Sequence, residues 1–256
     1  MRDLKVRVEA GVLWLTLHRP EQLNALTDVM VEEAISQLRR ATGRDDVRVV
    51  VLTGSGRAFS AGADLGGADA QERYDAASVD AANYLIRSVT ELDKPVVCGL
   101  NGIAAGVGTS VALACDLVVA TESAALTVAF TEIGLMPDGG ATATLAAAVG
   151  RVRAMRLALL SDVVTAQEAY AAGLVSHVFP DEDYQEELGK IVQRLAAGPP
   201  LAFAATKKAI NAATLGGLPD AFARERTGQA VLLRTEDAAE GIKAFAEKRR
   251  PEFGGQ

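Results

Sequence analysis

The chain has 256 residues, about half of them apolar, and a formal net charge of −7. This length and composition suit one domain of ordinary size, or a core with a small appendage, and argue against disorder. The negative charge argues against a nucleic-acid or membrane-surface role for the whole protein, but it leaves room for an anionic ligand at a local basic patch. Both cysteines, Cys98 and Cys115, lie in apolar runs. We expect buried thiols in a reducing compartment and no metal site.

The N-terminal residues are charged and alternate with apolar ones, which is not the pattern of a signal peptide. No apolar run reaches the roughly 18 residues that a membrane helix needs. The sequence therefore predicts a soluble cytoplasmic protein.

The predicted elements alternate between strands and helices. Residues 4–20 alternate with period two around Ala10-Gly11 and predict a hairpin. Residues 27–43 have apolar positions at helical spacing, with Thr27 or Asp28 as the cap and Gly43 as the end. Further along, the pattern predicts a strand at 47–56, a helix at 73–93, a strand at 94–102, a helix at 104–115, strands at 116–121 and 124–130, helices at 141–150, 151–160 and 165–173, and a strand at 174–179.

From Pro180 onward the chain is predicted to be helical, with breaks at 198–200 and 215–219. Alternating strands and helices predict an α/β class with mostly parallel, buried strands. We divide the chain into a core at 1–200 and a helical appendage at 201–256.

Two glycine-rich segments follow buried strands, at Gly54–Leu65 and Asn101–Asp116. Either can be a plain turn, or bare backbone that brings N–H groups close to a ligand. A serine triad through Ser60 is improbable because the chain has only two histidines, and a dinucleotide fingerprint fails because Val111 replaces its third glycine. Two backbone donors that converge on one oxygen would instead form an oxyanion hole.

The segments "HRPEQLNAL", "AFSAGADL", "NGIAAGVG", "FTEIGLMPDGG" and "EGIKAFAEKRRPEF" together resemble the crotonase, or enoyl-CoA hydratase/isomerase, superfamily, over nearly the whole chain. The resemblance implies a spiral of ββα turns, a C-terminal helical trimerisation region and acyl-CoA thioester chemistry. It also implies a homotrimer or a dimer of trimers, and no cofactor beyond the CoA of the substrate.

The resemblance assigns the oxyanion donors to the backbone N–H groups of Ala63 and Val107, where valine replaces the usual glycine. Lys248 belongs to a basic cluster with Arg249 and Arg250, which fits phosphates or is simply a solvated helix end. The other residues implied for CoA and substrate binding are Ala25, Leu26, Ser60, Ala61, Gly62, Asp64, Leu65, Gly106, Gly108, Ser110, Phe130 and Phe245.

The sequence departs from the family's hydratases at both water-activating glutamates. Ser110 and Phe130 occupy those two positions, and neither can act as a carboxylate. Glu132 lies two residues further on and is expected to face solvent. Ordinary water addition by two carboxylates is therefore doubtful.

Asp138, in "MPDGG", occupies the position of a lone acid in family members that resemble isomerases. The local sequence alone favours an aspartate helix cap for 141–150, and the two roles can coexist. With the hydratase glutamates absent, we interpret Asp138 as the acid/base of an isomerase. The alternatives are a hydratase with differently held water, a nucleophilic aspartate acting on an aryl-CoA, and a non-catalytic acyl-CoA binder. The nucleophilic route ranks low because it needs a nearby histidine, and His18 and His177 lie outside both glycine segments.

Overall fold

The computed structural model describes residues 3–66 and 75–256. Its strands are β1 (Leu4–Glu9), β2 (Val12–Leu17), β3 (Val49–Gly54), β4 (Ala58–Ser60), β5 (Val96–Leu100), β6 (Ile103–Ala105), β7 (Leu117–Thr121), β8 (Ala125–Thr127), β9 (Val164–Thr165) and β10 (His177–Phe179). Its helices are α1 (Asp28–Thr42), α2 (Ala76–Thr90), α3 (Val107–Ala114), α4 (Ala141–Leu160), α5 (Ala166–Ala172), α6 (Tyr184–Ala196), α7 (Pro200–Thr214), α8 (Leu218–Leu232) and α9 (Glu236–Glu247).

Within the described residues the larger sheet has six strands in the order β1-β2-β3-β5-β7-β10. The predicted hairpin is confirmed: β1 and β2 are antiparallel, and the remaining neighbours are parallel. Strands β3 and β5 consist mostly of apolar residues because both faces of a parallel sheet are covered. Helix α6 covers one face of the sheet with Leu188 and Val192, and the main core fills the other.

A second sheet consists of the short strands β4, β6, β8 and β9, again within the described residues. Strands β4, β6 and β9 were not predicted from the sequence. The helix predicted at 104–115 begins only at Val107, because Ile103–Ala105 pairs with both β4 and β8. Each segment β3-β4-α2, β5-β6-α3 and β7-β8-α4 therefore passes from the large sheet to the small one and then to a helix. These are the ββα turns of a crotonase-type spiral.

Several predicted boundaries are confirmed. Thr27 caps α1, its hydroxyl accepting a hydrogen bond from Met30 N at 3.2 Å, and Thr165 forms a capping box with Glu168. Helix α4 breaks at Gly150, whose φ of 74° and ψ of 164° are not helical, so the two predicted helices meet there.

As predicted, the chain forms helices between Tyr184 and Glu247, and these fold back onto the rest of the molecule. The prediction is wrong for residues 180–183 and 248–256, which are not helical. Helix α8 packs against α2 and α4, and α9 packs against the turn at 131–133. The proposed division at residue 200 remains a prediction. No helix in the described part of the chain is long and apolar enough to cross a bilayer.

Candidate active site

The first predicted donor, the N–H of Ala63, lies next to a short parallel bridge with Leu26. Leu26 N donates to Gly62 O at 2.7 Å, and Asp64 N donates to Leu26 O at 3.1 Å. In this pattern the flanking residues make the bonds, so Ala63 directs its own N–H away from Leu26.

The second predicted donor, the N–H of Val107, begins helix α3, so it has no intrahelical acceptor. Gly106 precedes it with φ 52° and ψ −129°, a conformation open to glycine alone. Within residues 3–66 and 75–256, neither Ala63 N nor Val107 N donates a hydrogen bond to a protein oxygen.

The loops that carry these two donors touch each other. Gly62 has a φ of 94°, and a Cβ there would lie 3.5 Å from Val107 N and 2.8 Å from Ala105 O. Glycine is therefore required at this contact for both conformation and space. The arrangement brings both free N–H groups to the same edge of the small sheet.

Two cavities border this pair of donors, and both are lined by Ala63, Asp64 and Val107. The larger has a volume of about 390 Å³, and the smaller, about 210 Å³, lies between α1 and α2. Of the predicted binding residues, the larger cavity is lined by Ala25, Ala61, Gly62, Ala63, Asp64, Leu65, Gly106, Val107, Phe130 and Phe245. Leu26 lines the smaller one. Most of the predicted site residues are thus brought together in one cleft.

Four predicted binding residues lie outside these two cavities, namely Ser60, Gly108, Ser110 and Lys248. Ser60 and Gly108 are packed against each other beneath the cleft, where the Ser60 hydroxyl donates to Asn24 O at 3.0 Å. Lys248 is exposed at the end of α9. In the adjoining basic cluster, Arg249 forms ion pairs with Glu240 at 2.5 Å and Glu247 at 2.6 Å, so much of its charge is already compensated.

Arg19 joins the two walls of the larger cavity, a role that was not predicted from the sequence. Its guanidinium forms an ion pair with Asp64 at 2.8 Å and donates to Ala25 O at 2.9 Å. The residue lies in "HRPEQLNAL", the segment quoted for the family resemblance, so its position was visible but its contacts were not.

Asp138 is fully buried and is not the cap of α4. The N-cap is Gly140, and the carboxylate that binds the first amides of α4 is that of Glu225, which accepts from Gly140 N at 2.7 Å and Thr142 N at 2.9 Å. The helix-cap interpretation of Asp138 is therefore wrong. A buried carboxylate that is not needed as a cap calls for another explanation.

The side chain of Asp138 is held from helix α8. Gln229 Nε2 donates to Asp138 Oδ2 at 2.9 Å, and the Ser110 hydroxyl donates to the backbone oxygen of Asp138 at 2.8 Å. Asp138 does not line either of the two cavities; its neighbour Gly139 packs against Val107 and Ser110. Its reach to a substrate carbon remains a prediction.

Glu225 is a second fully buried carboxylate near Asp138. Burial raises the pKa of the Glu225 carboxyl above its ordinary value, and the charge of Asp138 acts in the same direction. Hydrogen bonds from Thr142 and Gly140 oppose this rise because they favour the ionised form.

The two positions of the hydratase glutamates are both buried. Ser110 supports the backbone at Asp138, and Phe130 lines the larger cavity. Glu132 is exposed, as expected, but it also borders that cavity. It is the nearest carboxylate to the altered position 130 along the chain.

Glu225 and Gln229 were also not predicted as site residues from the sequence. They lie one turn apart in α8 and continue the buried stripe of Leu218, Ala221 and Phe222. Two polar residues in an otherwise apolar helical stripe were the available indication, because such groups are buried only with hydrogen-bond partners.

A cleft that presents two free backbone donors defines a site for an oxygen that acquires negative charge. Residues 7–256 match the family model for enoyl-CoA hydratase/isomerase. The chain is 42% identical to a probable enoyl-CoA hydratase of Rhodobacter capsulatus, over 99% of this chain and 98% of the relative. It is 38% identical to the 1,2-epoxyphenylacetyl-CoA isomerase of Escherichia coli K12, over 100% of both.

The fold comparison agrees. A crystal structure of an enoyl-CoA hydratase from Mycobacterium avium subsp. paratuberculosis K-10 matches with a TM-score of 0.93 and 45% identity, over 99% of each chain. The chain belongs to the enoyl-CoA hydratase/isomerase family and has the crotonase fold. Membership implies an enzyme with an acyl-CoA substrate.

Proposed function

We propose that this enzyme is an acyl-CoA isomerase that shifts a double bond from the 3-enoyl to the 2-enoyl position. The observation that carries the proposal is Asp138, a buried carboxylate beside the oxyanion loops that is not used as a helix cap. Ser110 and Phe130, at the two hydratase glutamate positions, also support an isomerase because neither can act as a carboxylate.

In the proposed reaction, Ala63 N and Val107 N bind the thioester oxygen and stabilise the enolate that forms when a proton leaves C2. One such donor typically lowers the barrier by about 2.7–4 kcal/mol. Asp138 takes the C2 proton and returns it at C4, so one base with reach to both carbons suffices. The reaction requires no cofactor beyond the CoA of the substrate.

The relatives support an isomerase without deciding the substrate. The Escherichia coli protein, 38% identical over its full length, is named 1,2-epoxyphenylacetyl-CoA isomerase. A relative of similar sequence is therefore named for the rearrangement of an acyl-CoA, which involves no net addition of water. We also propose a homotrimer or a dimer of trimers.

A hydratase is the second candidate, and two observations favour it. Glu132 borders the larger cavity, where it could hold a water, and the Rhodobacter capsulatus relative is named a probable hydratase. A non-catalytic acyl-CoA binder remains the outcome if neither reaction occurs.

Product analysis separates these candidates. The wild-type protein is incubated separately with 3-hexenoyl-CoA and crotonyl-CoA, and the products are analysed by mass and double-bond position. We expect 3-hexenoyl-CoA to give its 2-enoyl isomer at unchanged mass, and crotonyl-CoA to gain water slowly or not at all. Hydration with a kcat of roughly 10 per second or more, an ordinary enzyme rate, would overturn the isomerase in favour of the hydratase.

A further inference from the structure

Helix α8 carries two fully buried polar side chains, Glu225 and Gln229, on one face. Burying such groups costs free energy unless they are hydrogen-bonded. Both side chains form hydrogen bonds with the segment 136–142, which contains Asp138. The C-terminal helices therefore help to build the candidate catalytic centre.

Gln229 is bound at both ends of its amide. Its oxygen accepts from Met136 N at 3.2 Å, and its nitrogen donates to Asp138 Oδ2 at 2.9 Å. Since a backbone N–H can only donate, the Met136 contact assigns the amide oxygen to that side. The NH2 group must then face the Asp138 carboxylate.

Helix α8 is fixed against this segment at a second point one turn earlier. Glu225 Oε2 and Oε1 accept from Gly140 N and Thr142 N, beyond Asp138 in the chain, whereas Gln229 binds Met136 ahead of it. The donor to Asp138 thus sits on a rigid element held on both sides, which is how an acid/base group is kept in one geometry.

We infer that Gln229 is a positioning residue, which holds the Asp138 carboxylate in the orientation and the ionised form that abstract a proton. The inference rests on the proposed function. A hydrogen bond donated to a carboxylate favours its charged form, and a base must be ionised before it accepts a proton. Glu225 is a titratable neighbour, and its negative charge, when present, acts against ionisation of the Asp138 carboxyl.

Two substitutions separate the contacts of Gln229. Gln229→Met keeps the length of the side chain and removes both hydrogen bonds. Gln229→Glu keeps an acceptor for Met136 N but places a second carboxyl against Asp138. We expect kcat for 3-hexenoyl-CoA to fall roughly 10- to 100-fold in Gln229→Met, the scale of a misplaced catalytic group. KM should change less than about twofold, because Gln229 does not line either cavity.

The pH profile of kcat provides the readout that a merely structural role would not move. In both variants the acid limb should shift to higher pH, since Met offers no donor to the carboxylate and Glu adds a competing charge. Gln193→Met, at an exposed position of α6, is the matched control and should leave kcat and the profile unchanged.

Each outcome has a defined meaning. Isomerisation by the wild type together with wild-type kcat and pH profile in Gln229→Met would overturn this inference and leave the proposed function standing. If the wild type leaves 3-hexenoyl-CoA unchanged, both the proposed function and the inference about Gln229 are overturned. If neither variant folds by circular dichroism, Gln229 is structural and the inference is also overturned.

Discussion

Asp138 is the residue on which the proposed reaction depends most directly. Asp138→Asn keeps the size of the side chain and an oxygen that can accept from Gln229, but removes the base. Because Glu225 and not Asp138 binds the first amides of α4, the substitution should have little effect on folding. We expect turnover of 3-hexenoyl-CoA to fall at least roughly a hundredfold, the low end of general-base contributions.

The measurement combines turnover with two controls on the same samples, thermal unfolding and calorimetric binding of CoA. Unfolding and binding should stay close to those of the wild type. Near-wild-type turnover in Asp138→Asn would show that Asp138 is not the base.

The backbone donor at Val107 can be tested by removing its hydrogen. Val107 is the first residue of α3, a position where proline is well tolerated because its N–H is not used by the helix. Val107→Pro should therefore keep the helix and lose one oxyanion donor. We expect kcat to fall about 10²- to 10³-fold, as for other oxyanion donors.

Val107→Ala is the matched control, since it shortens the same side chain and keeps the N–H. Steady-state kinetics of the two variants should differ by at least tenfold in kcat. Equal losses would mean that the Val107 side chain, and not its N–H, matters to turnover.

At the residue scale, the sequence predicts where site residues lie in the chain better than it predicts which residues they contact. The glycine loops were recognisable, because bare backbone next to a buried strand is a local pattern. The partners of the 136–142 segment were not, since Glu225 and Gln229 lie 83 or more residues away along the chain and meet this segment only through packing of α8. The local Pro-Asp-Gly-Gly pattern favoured Asp138 as the cap of α4, but the distant Glu225 binds the first amides of that helix instead.

At the scale of elements, Glu225 couples α8 to the start of α4. Glu225→Gln leaves at least one amide of α4 with a poorer acceptor, so we expect a loss of roughly 1–3 kcal/mol in the free energy of unfolding near pH 5. Burial raises the pKa of Glu225, so its stabilising contribution is complete below its ordinary value of 4.5 and is lost as pH rises through the folded-state value. The difference between wild type and variant should therefore shrink from pH 5 to pH 8.

Urea denaturation of both proteins across this range measures that difference directly. Glu182→Gln, at an exposed position, should leave the free energy of unfolding unchanged at every pH. A gap between wild type and Glu225→Gln that widens with pH would show that ionised Glu225 is the stabilising form.

The length of the surrounding apolar run explains which strands the sequence predicted. Strands β3 and β5 have five or six residues, and most of these are apolar. Strands β4, β6 and β9 have two or three residues and lie in segments whose pattern is that of a turn or a helix. Strands β8 and β10 are equally short but lie in the longer apolar runs 124–130 and 174–179. Of the small sheet that carries the oxyanion loops, only β8 was therefore predicted as a strand, and the rest was predicted as turns and parts of helices.

The whole molecule leaves an apolar stripe uncovered on the second half of α4. Val152, Met155 and Leu159 recur at helical spacing, and their exposed fractions are 80%, 42% and 61%. A stripe of this kind normally faces a partner surface, because exposed contiguous apolar area is rare on monomers. The stripe supports the proposed trimer or dimer of trimers, in which a second copy of the chain would cover it.

Light scattering at micromolar concentration tests the assembly. We expect a mass three or six times the 26.7 kDa of one chain. The double substitution Val152→Asp and Leu159→Asp places charges on the stripe, where burial would be costly, and should lower the mass towards that of one chain. Val6→Asp, an exposed apolar position on the edge strand β1, is the control and should keep the wild-type mass. A wild type that is only monomeric would overturn the assembly, and an unchanged mass in the double variant would place the interface elsewhere on the surface.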